Sequence, residues 1–406
     1  MFTLDQRYQD ANREVALKRK LIQDPDQSFW EGARPKLGTT LGEAVVFSIL
    51  SLLLDADRTL TTKSKGLPRD GSLMIRFSHP NWVAEDNIRA LGCFRDAAVV
   101  AMRIFLEGIR HKRKPRGIGI AVDALRSAVQ LHRSAADKLP SFSSRYVHRE
   151  YVCCSQGELN GTKWELVFES CAAGFPYLLE GERETFEGTL RKFPASKRIR
   201  KILVVDVGAG STDAGYMVRT VRPRDSKGIM KPLLIWLPAA DALEIAGRWL
   251  TDKIFAEAKQ QGRRFTQFEA EEFKTTNQGW YLKPYVHEWT GMISDHVAEY
   301  VSGIRDDICL PKSPDLEVVL TGGSSVVLPL RDETMRRVRT ALEHRGRAAF
   351  AGAKLINVSR PESLGRSYRE VEVAQLAVSL GASDPRLTEL KAYPDGLVQS
   401  GFAMTM

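Results

Sequence analysis

The sequence predicts an α/β protein with room for two lobes. Three observations carry that expectation. Two short β-branched apolar runs, 202–205 (ILVV) and 316–320 (LEVVL), are of the kind buried on both faces of a sheet. Helical patterns such as 41–55 and 242–258 alternate with such runs. A chain of 406 residues is long enough for two separate cores.

Taken in order, residues 1–37 are polar, with weak helical periodicity and a turn at Asp24-Pro25-Asp26. Thr39 or Thr40 is expected to cap the strongly apolar helix 41–55, with Glu43 in its first turn near the dipole. A strand at 73–77 (LMIRF) and a break at 78–82 (SHPNW) precede a helix from about 83 to 105 or beyond. A further helix is expected within 117–138, before Pro140. The strand 164–168 (WELVF) leads into a small-residue helix over 169–177. Beyond lie a strand at 233–237 and the helix 242–258. Helices then follow at 268–276, 287–304, 330–344 and 371–382. In 268–276, Glu271 and Lys274 share one face at a spacing that also suits an ordinary surface ion pair, the favoured expectation.

Composition narrows the function classes. Hydrophobic content of 43% and charged content of 27% suit a soluble globular protein. No apolar run approaches the length of a membrane span, so no membrane association is expected. The opening MFTLDQRYQD mixes charges and does not read as a secretory leader. The five cysteines are odd in number and lack zinc spacing, which points to free thiols in a reducing cytoplasm. The seven histidines form no ligand cluster. Net charge is +9, and 110–116 (RHKRKPR) is the densest basic run. It has no interleaved aromatics and no nucleic-acid motif beside it, so it reads as a solvated linker and nucleic acid is not an expected partner.

The chain is organised around 201–217 (KILVVDVGAGSTDAGYM). A buried strand ends in Asp206 and a Gly208-Ala209-Gly210 turn. The hydroxyls of Ser211 and Thr212 and the carboxylate of Asp213 come next, then the alternation Ala214, Tyr216, Val218. This is a hairpin with a glycine-rich, acidic tip. Small residues let backbone N–H groups approach phosphate oxygens. A carboxylate at the strand end suits Mg²⁺, which keeps several waters and bridges to phosphates. The hydroxyls suit a γ-phosphate or an attacking water. The second run, 316–320, ends in Thr321-Gly322-Gly323-Ser324-Ser325.

An acidic-glycine hairpin followed about a hundred residues later by strand-GGSS resembles the actin-like ATPase superfamily, with its ribonuclease H-like lobes. The resemblance is closest to the nucleotide-binding domain of the seventy-kilodalton heat-shock chaperones, whose second phosphate loop reads DxGxGTxD. It implies ATP, ADP and Mg²⁺ as ligands, ATP hydrolysis, a cytoplasmic setting, and protein clients or co-chaperones as partners. Asp206 would hold the metal through water, and Gly208, Ala209 and Gly210 would offer N–H groups to phosphate. Ser211 and Thr212 would meet the γ-phosphate or water, with Asp213 orienting them. Gly322, Gly323 and Ser324 would shape the adenosine site. Glu169 falls at the hinge-coupled glutamate, Gly247 and Arg248 at a further nucleotide-contacting turn, and Glu271 and Lys274 at the ribose-binding pair.

The likeness implies two lobes, each a mixed sheet flanked by helices: an incomplete first lobe over 1–200 with an insertion at about 108–150, and a nucleotide-binding lobe over 201–382, followed by a tail over 383–406. The chain also departs from the family. Ser170 replaces a proline, Arg248 replaces an acid, and Val326 and Val327 stand where an adenine-stacking arginine is usual. The first phosphate loop is not found. Gly38-Thr39-Thr40 fits its end, but Lys36 stands at the aspartate and no β-run precedes it. Hydrolysis relies on a complete charge-neutralising cradle, so it is expected to be weak or lost. A pseudo-ATPase scaffold and a filament-forming ATPase are the alternatives.

Overall fold

In the computed structural model, the described residues are 29–31, 39–63, 74–81, 85–109, 122–133, 153–159, 161–179, 199–223, 230–238, 242–266, 269–270, 273–274, 283–304, 315–344, 355–358, 370–389 and 391–392. Expectations on 1–28, the run 110–116, Glu271 and the tail past 392 lie outside them. The chain divides into one unit of 1–77, 82–147 and 153–166, and another of 78–81, 148–152 and 167–406.

In the first unit, helix α1 (Leu41–Lys63) opens on a reciprocal capping box. The Glu43 N–H donates to Thr40 Oγ1 at 3.1 Å, and the Thr40 N–H donates to Glu43 Oε2 at 2.9 Å. Thr40 is therefore the cap. Thr40→Ala should cost about 1 kcal/mol in urea unfolding. Helix α2 (Glu85–Arg103) packs on α1 and widens into a π-helical turn, Ile104–Ile109. Ile104, Phe105 and Leu106 of that turn continue the buried run Ala97–Met102 of α2. Helix α3 (Val122–Arg133) follows. Strands β1 (Met74–His79), β2 (Cys153–Leu159) and β3 (Thr162–Phe168) form a sheet of order β1-β3-β2. Arg76 and Glu165 pair across β1 and β3 at 2.7 Å, each only 7% exposed.

The second unit begins with helix α4 (Glu169–Leu178) and holds a six-stranded mixed sheet. Strands β4 (Ile199–Val207), β5 (Thr212–Pro223) and β6 (Met230–Pro238) make an antiparallel meander. The chain returns through helices α5 (Gly247–Gln260) and α6 (Lys283–Gly303) to β7 (Leu316–Thr321), parallel to β4 on its other side. Helix α7 (Leu328–His344) leads to β8 (Leu355–Val358), parallel to β7. Helix α8 (Glu370–Ser383), a 3₁₀ turn (Pro385–Glu389) and β9 (Lys391–Ala392) complete the order β8-β7-β4-β5-β6-β9.

The unbroken apolar run 202–205 is explained by cover on both faces of β4. Leu203, Val205 and Val207 join a buried cluster with Trp289, Ile293 and Val297 of α6. On the other face, α4 lies so close that a Cβ at Gly174 would overlap Val204 and Met217. Helix α8 crosses α4 at Gly381, where a Cβ would overlap the Ala172 carbonyl oxygen. The small residues of 169–177 therefore serve close helix and sheet packing. Between β5 and β6 the Tyr300 hydroxyl replaces a ladder bond. It accepts the Tyr216 N–H at 2.8 Å and donates to the Leu237 carbonyl at 2.5 Å.

One boundary differs from expectation. The helix predicted from residue 242 begins at Gly247, because Leu243 exchanges both backbone hydrogen bonds with Thr212 at 2.8 Å. Residues 242–246 thus form an extended lip along the hairpin tip.

Candidate functional site

Parallel pairing of β4 and β7 sets Asp206 beside Thr321, so both glycine-bearing loops leave the same edge of the sheet. Strand β4 is also where the chain changes direction. The meander grows to one side of it and β7 and β8 to the other. Crevices at the carboxyl ends of strands at such a switch point are where open α/β sheets bind ligands.

The two loops meet through Ser324. Its N–H donates to the Val207 carbonyl at 3.1 Å, and its hydroxyl lies 3.4 Å from the Gly208 carbonyl. Lys274 Nζ donates to the same hydroxyl at 3.4 Å. Thr321 Oγ1 donates to Asp206 Oδ1 at 3.2 Å. The approach is tight enough to require glycine. Gly322 has φ +84°, its N–H donates to the Ala374 carbonyl at 2.9 Å, and a Cβ there would overlap Val207 O and lie 2.6 Å from Asp206 Oδ1. A Cβ at Gly247 would overlap Ser324 Oγ and lie 3.1 Å from the Gly208 carbonyl. Gly323 is half-buried in the turn that follows.

The tip of the hairpin is closed by the Gly208 N–H donating to the Ser211 carbonyl at 3.0 Å. Among the described residues, the N–H groups of Ala209, Gly210 and Ser211 have no backbone acceptor. They form the outward part of the tip, where Ala209 is exposed and Gly210 and Ser211 are half-buried. Such consecutive N–H groups suit an anion. The tip's carbonyls are engaged with helix α5. The Gly247 N–H donates to Gly208 O at 3.0 Å, and the Arg248 N–H donates to Ala209 O at 2.8 Å. The Trp289 indole donates to the Ala246 carbonyl at 2.9 Å.

Several expected roles change with this geometry. The Gly208 N–H closes the turn, so the free donors shift to Ala209, Gly210 and Ser211. The Thr212 hydroxyl is buried and donates to the Ile245 carbonyl at 2.7 Å, so it faces the protein interior. The backbone N–H groups of Gly247 and Arg248 go to the hairpin tip, and the Arg248 guanidinium pairs with Asp252 one turn along α5 at 2.8 Å. The spacing of Lys274 suits a surface cation, but the side chain lies inside the protein. It is 5% exposed and reaches Ser324, because its short helical segment packs under the second loop.

The charges of two carboxylates, Glu169 and Asp206, bear on a third, Asp213. Asp206 and Asp213, opposite one another in the hairpin register, are both buried. Asp213 Oδ1 accepts the Asn81 N–H, and its Oδ2 accepts the Ser211 hydroxyl at 3.0 Å. Glu169, first residue of α4, accepts the Ser78 hydroxyl at 3.3 Å. Burial, then the Glu169 charge, pushes the Asp213 carboxyl well above the usual aspartate range. The Asn81 N–H opposes this, Asp206 adds to it, and Ser211 opposes it. A shielded carboxyl of this kind, tied to a hydroxyl at the mouth, is suited to hold or accept a proton.

Among the described residues, no three His, Cys, Asp or Glu side chains group as ligands for a metal ion. Asp206 by itself fits a cation held by one carboxylate, waters and the ligand's own oxygens. This is the habit of Mg²⁺ with phosphates and does not suit zinc.

Asn81 was not foreseen. It is fully buried, and its side chain donates to the Ala214 carbonyl at 2.8 Å and accepts the Ser170 hydroxyl at 2.9 Å. In the sequence it is one polar residue after a proline, and nothing in its spacing marks it.

The fold and the site define an α/β protein with mixed sheets flanked by helices, in which two glycine-bearing loops meet beside Asp206 at the carboxyl ends of β4 and β7. No protein-family model matches the chain, and no curated protein matches it. Among the described residues, no helix is long and apolar enough to cross a membrane.

Proposed function

We propose that the two glycine-bearing loops bind ATP with Mg²⁺ and that the chain is an actin-like ATPase resembling the nucleotide-binding domain of the seventy-kilodalton heat-shock chaperones. In this proposal it acts in the cytoplasm with protein clients or co-chaperones. The observation that carries the reading is the meeting of two glycine-bearing loops, joined by Ser324 and Gly208, which stand 116 residues apart in sequence. The outward N–H groups of Ala209, Gly210 and Ser211 receive phosphate oxygens. Asp206 holds the cation through water, and Mg²⁺ supplies neutralisation of phosphate charge. Ser211, tied to Asp213, orients a water or the terminal phosphate. Gly322, Gly323, Ser324 and Lys274 line the nucleoside side.

Titration calorimetry with Mg·ATP tests the proposal. Wild type is expected to bind, and Asp206→Ala to lose at least about a hundredfold in affinity while keeping its circular dichroism spectrum. Absence of binding by wild type, or unchanged affinity in the variant, rejects the assignment.

A second reading, binding without turnover in a scaffold role, has one observation in its favour. The N–H groups of Gly208, Gly247 and Arg248 are committed within the protein, which leaves fewer donors for a transferring phosphate. Steady-state phosphate release separates the two. Turnover that disappears in Asp206→Ala supports the ATPase, and none in wild type supports the scaffold.

A further inference from the structure

We infer that Asn81 is the positioning residue for Asp213, clamped so that its backbone N–H is delivered to one carboxyl oxygen while the other is left for Ser211. The functional consequence of this inference rests on the nucleotide reading above.

The clamp has four hydrogen bonds. Asn81 Nδ2 donates to the Ala214 carbonyl at 2.8 Å, which ties the side chain to β5 immediately beyond Asp213. The Ser170 hydroxyl donates to Asn81 Oδ1 at 2.9 Å from helix α4. The Ala242 N–H donates to the Asn81 carbonyl at 3.1 Å from the lip before α5. With the side chain and carbonyl held in this way, the backbone N–H donates to Asp213 Oδ1. Asn81 is fully buried and Asp213 nearly so, so this donor exchanges with no solvent competitor. Ser211, at the half-buried mouth, donates to Oδ2 at 3.0 Å. One oxygen of the carboxyl is therefore anchored from inside, and the other faces the hydroxyl nearest the outward tip.

An Asn suits this place because its short, uncharged side-chain amide offers a donor and an acceptor from the same planar group. Leucine would leave the Ala214 carbonyl and the Ser170 hydroxyl unpartnered, and aspartate would add another carboxyl beside Asp206, Glu169 and Asp213. Because Asn81 lies behind the carboxyl, it acts through Asp213 and not on the ligand.

The experiment has two arms on the full chain. In the first, hydrogen exchange of the Asn81 amide is followed by selective ¹⁵N-asparagine labelling. Among the described residues its one acceptor is Asp213. Asp213→Ala is expected to speed its exchange at least about tenfold, and Ser170→Ala, which releases one arm of the clamp, at least about threefold. The ladder amides of β4 and β5 serve as the folding control and should stay protected. Unchanged exchange at Asn81 in either variant overturns the inference.

In the second arm, Asn81→Ala is expected to lower kcat for ATP at least about tenfold with KM within about twofold, and to cause no further loss in an Asp213→Asn background. An equal loss in both backgrounds, or a rise in KM at constant kcat, overturns it. Wild type that neither binds nor turns over ATP removes the nucleotide reading alone, and the exchange arm then decides the positioning claim.

Discussion

Gly322→Ala is expected to destabilise the larger unit by about 3–5 kcal/mol and to lower its Tm by about 10 °C. Two costs combine. A side chain at φ +84° is strained in its backbone, and its Cβ would overlap the Val207 carbonyl and press on the Asp206 carboxyl. The neighbours are main chain of a central strand and cannot give way cheaply. Gly262→Ala is the internal control, since Gly262 has φ +70° and nothing within 4 Å of a Cβ. That variant carries the strain without the overlap and should cost about 1 kcal/mol. Equal effects of the two in urea unfolding would show that the loops are not in contact. Because the displaced atoms belong to Val207 and Asp206, Gly322→Ala should also weaken Mg·ATP binding, whereas Gly262→Ala should leave it unchanged.

Asp213→Asn is expected to act in the opposite direction and to stabilise the protein at neutral pH. The folded protein holds the Asp213 proton more tightly than the unfolded chain does, chiefly through burial and the charge of Glu169. Its contribution to stability is therefore fully present below the usual aspartate value of 3.8 and is lost as pH rises through the higher folded value. Asparagine retains the shape and an acceptor for the Asn81 N–H and carries no charge. Urea midpoints for wild type and variant should coincide at the acid end of this window and diverge as pH increases, with the variant the more stable. A constant difference across the window would remove Asp213 as the cause. If the variant gains stability and loses phosphate release, the buried carboxyl is retained for chemistry at the expense of the fold.

Much of the framework was legible from the sequence because it rests on local patterns. The run 202–205 has no polar interruption, and the structure covers both its faces. The Gly208-Ala209-Gly210 turn stands between two strands that pair in register. Thr40 and Glu43 stand three apart, and they make the capping box. The site itself was legible only in part. Lys274 sits at a spacing shared with ordinary surface pairs, and only the packing of its segment under Ser324 distinguishes the two. Thr212 and Ser211 are adjacent hydroxyls, yet the strand begins at Thr212 and turns its side chain toward Ile245. The role of Asn81 arises from three elements meeting at one buried point, and no periodicity encodes that meeting. The Tyr300 hydroxyl between β5 and β6 is of the same kind, a long-range insertion into a ladder that the strand sequences alone describe as continuous.

The bonding of the hairpin tip to helix α5 has a mechanical consequence. The first two N–H groups of that 14-residue helix are held by Gly208 and Ala209, and Leu250, Ile254 and Ala258 bury its inner face, so the tip is braced by the core through the helix and cannot shift without it.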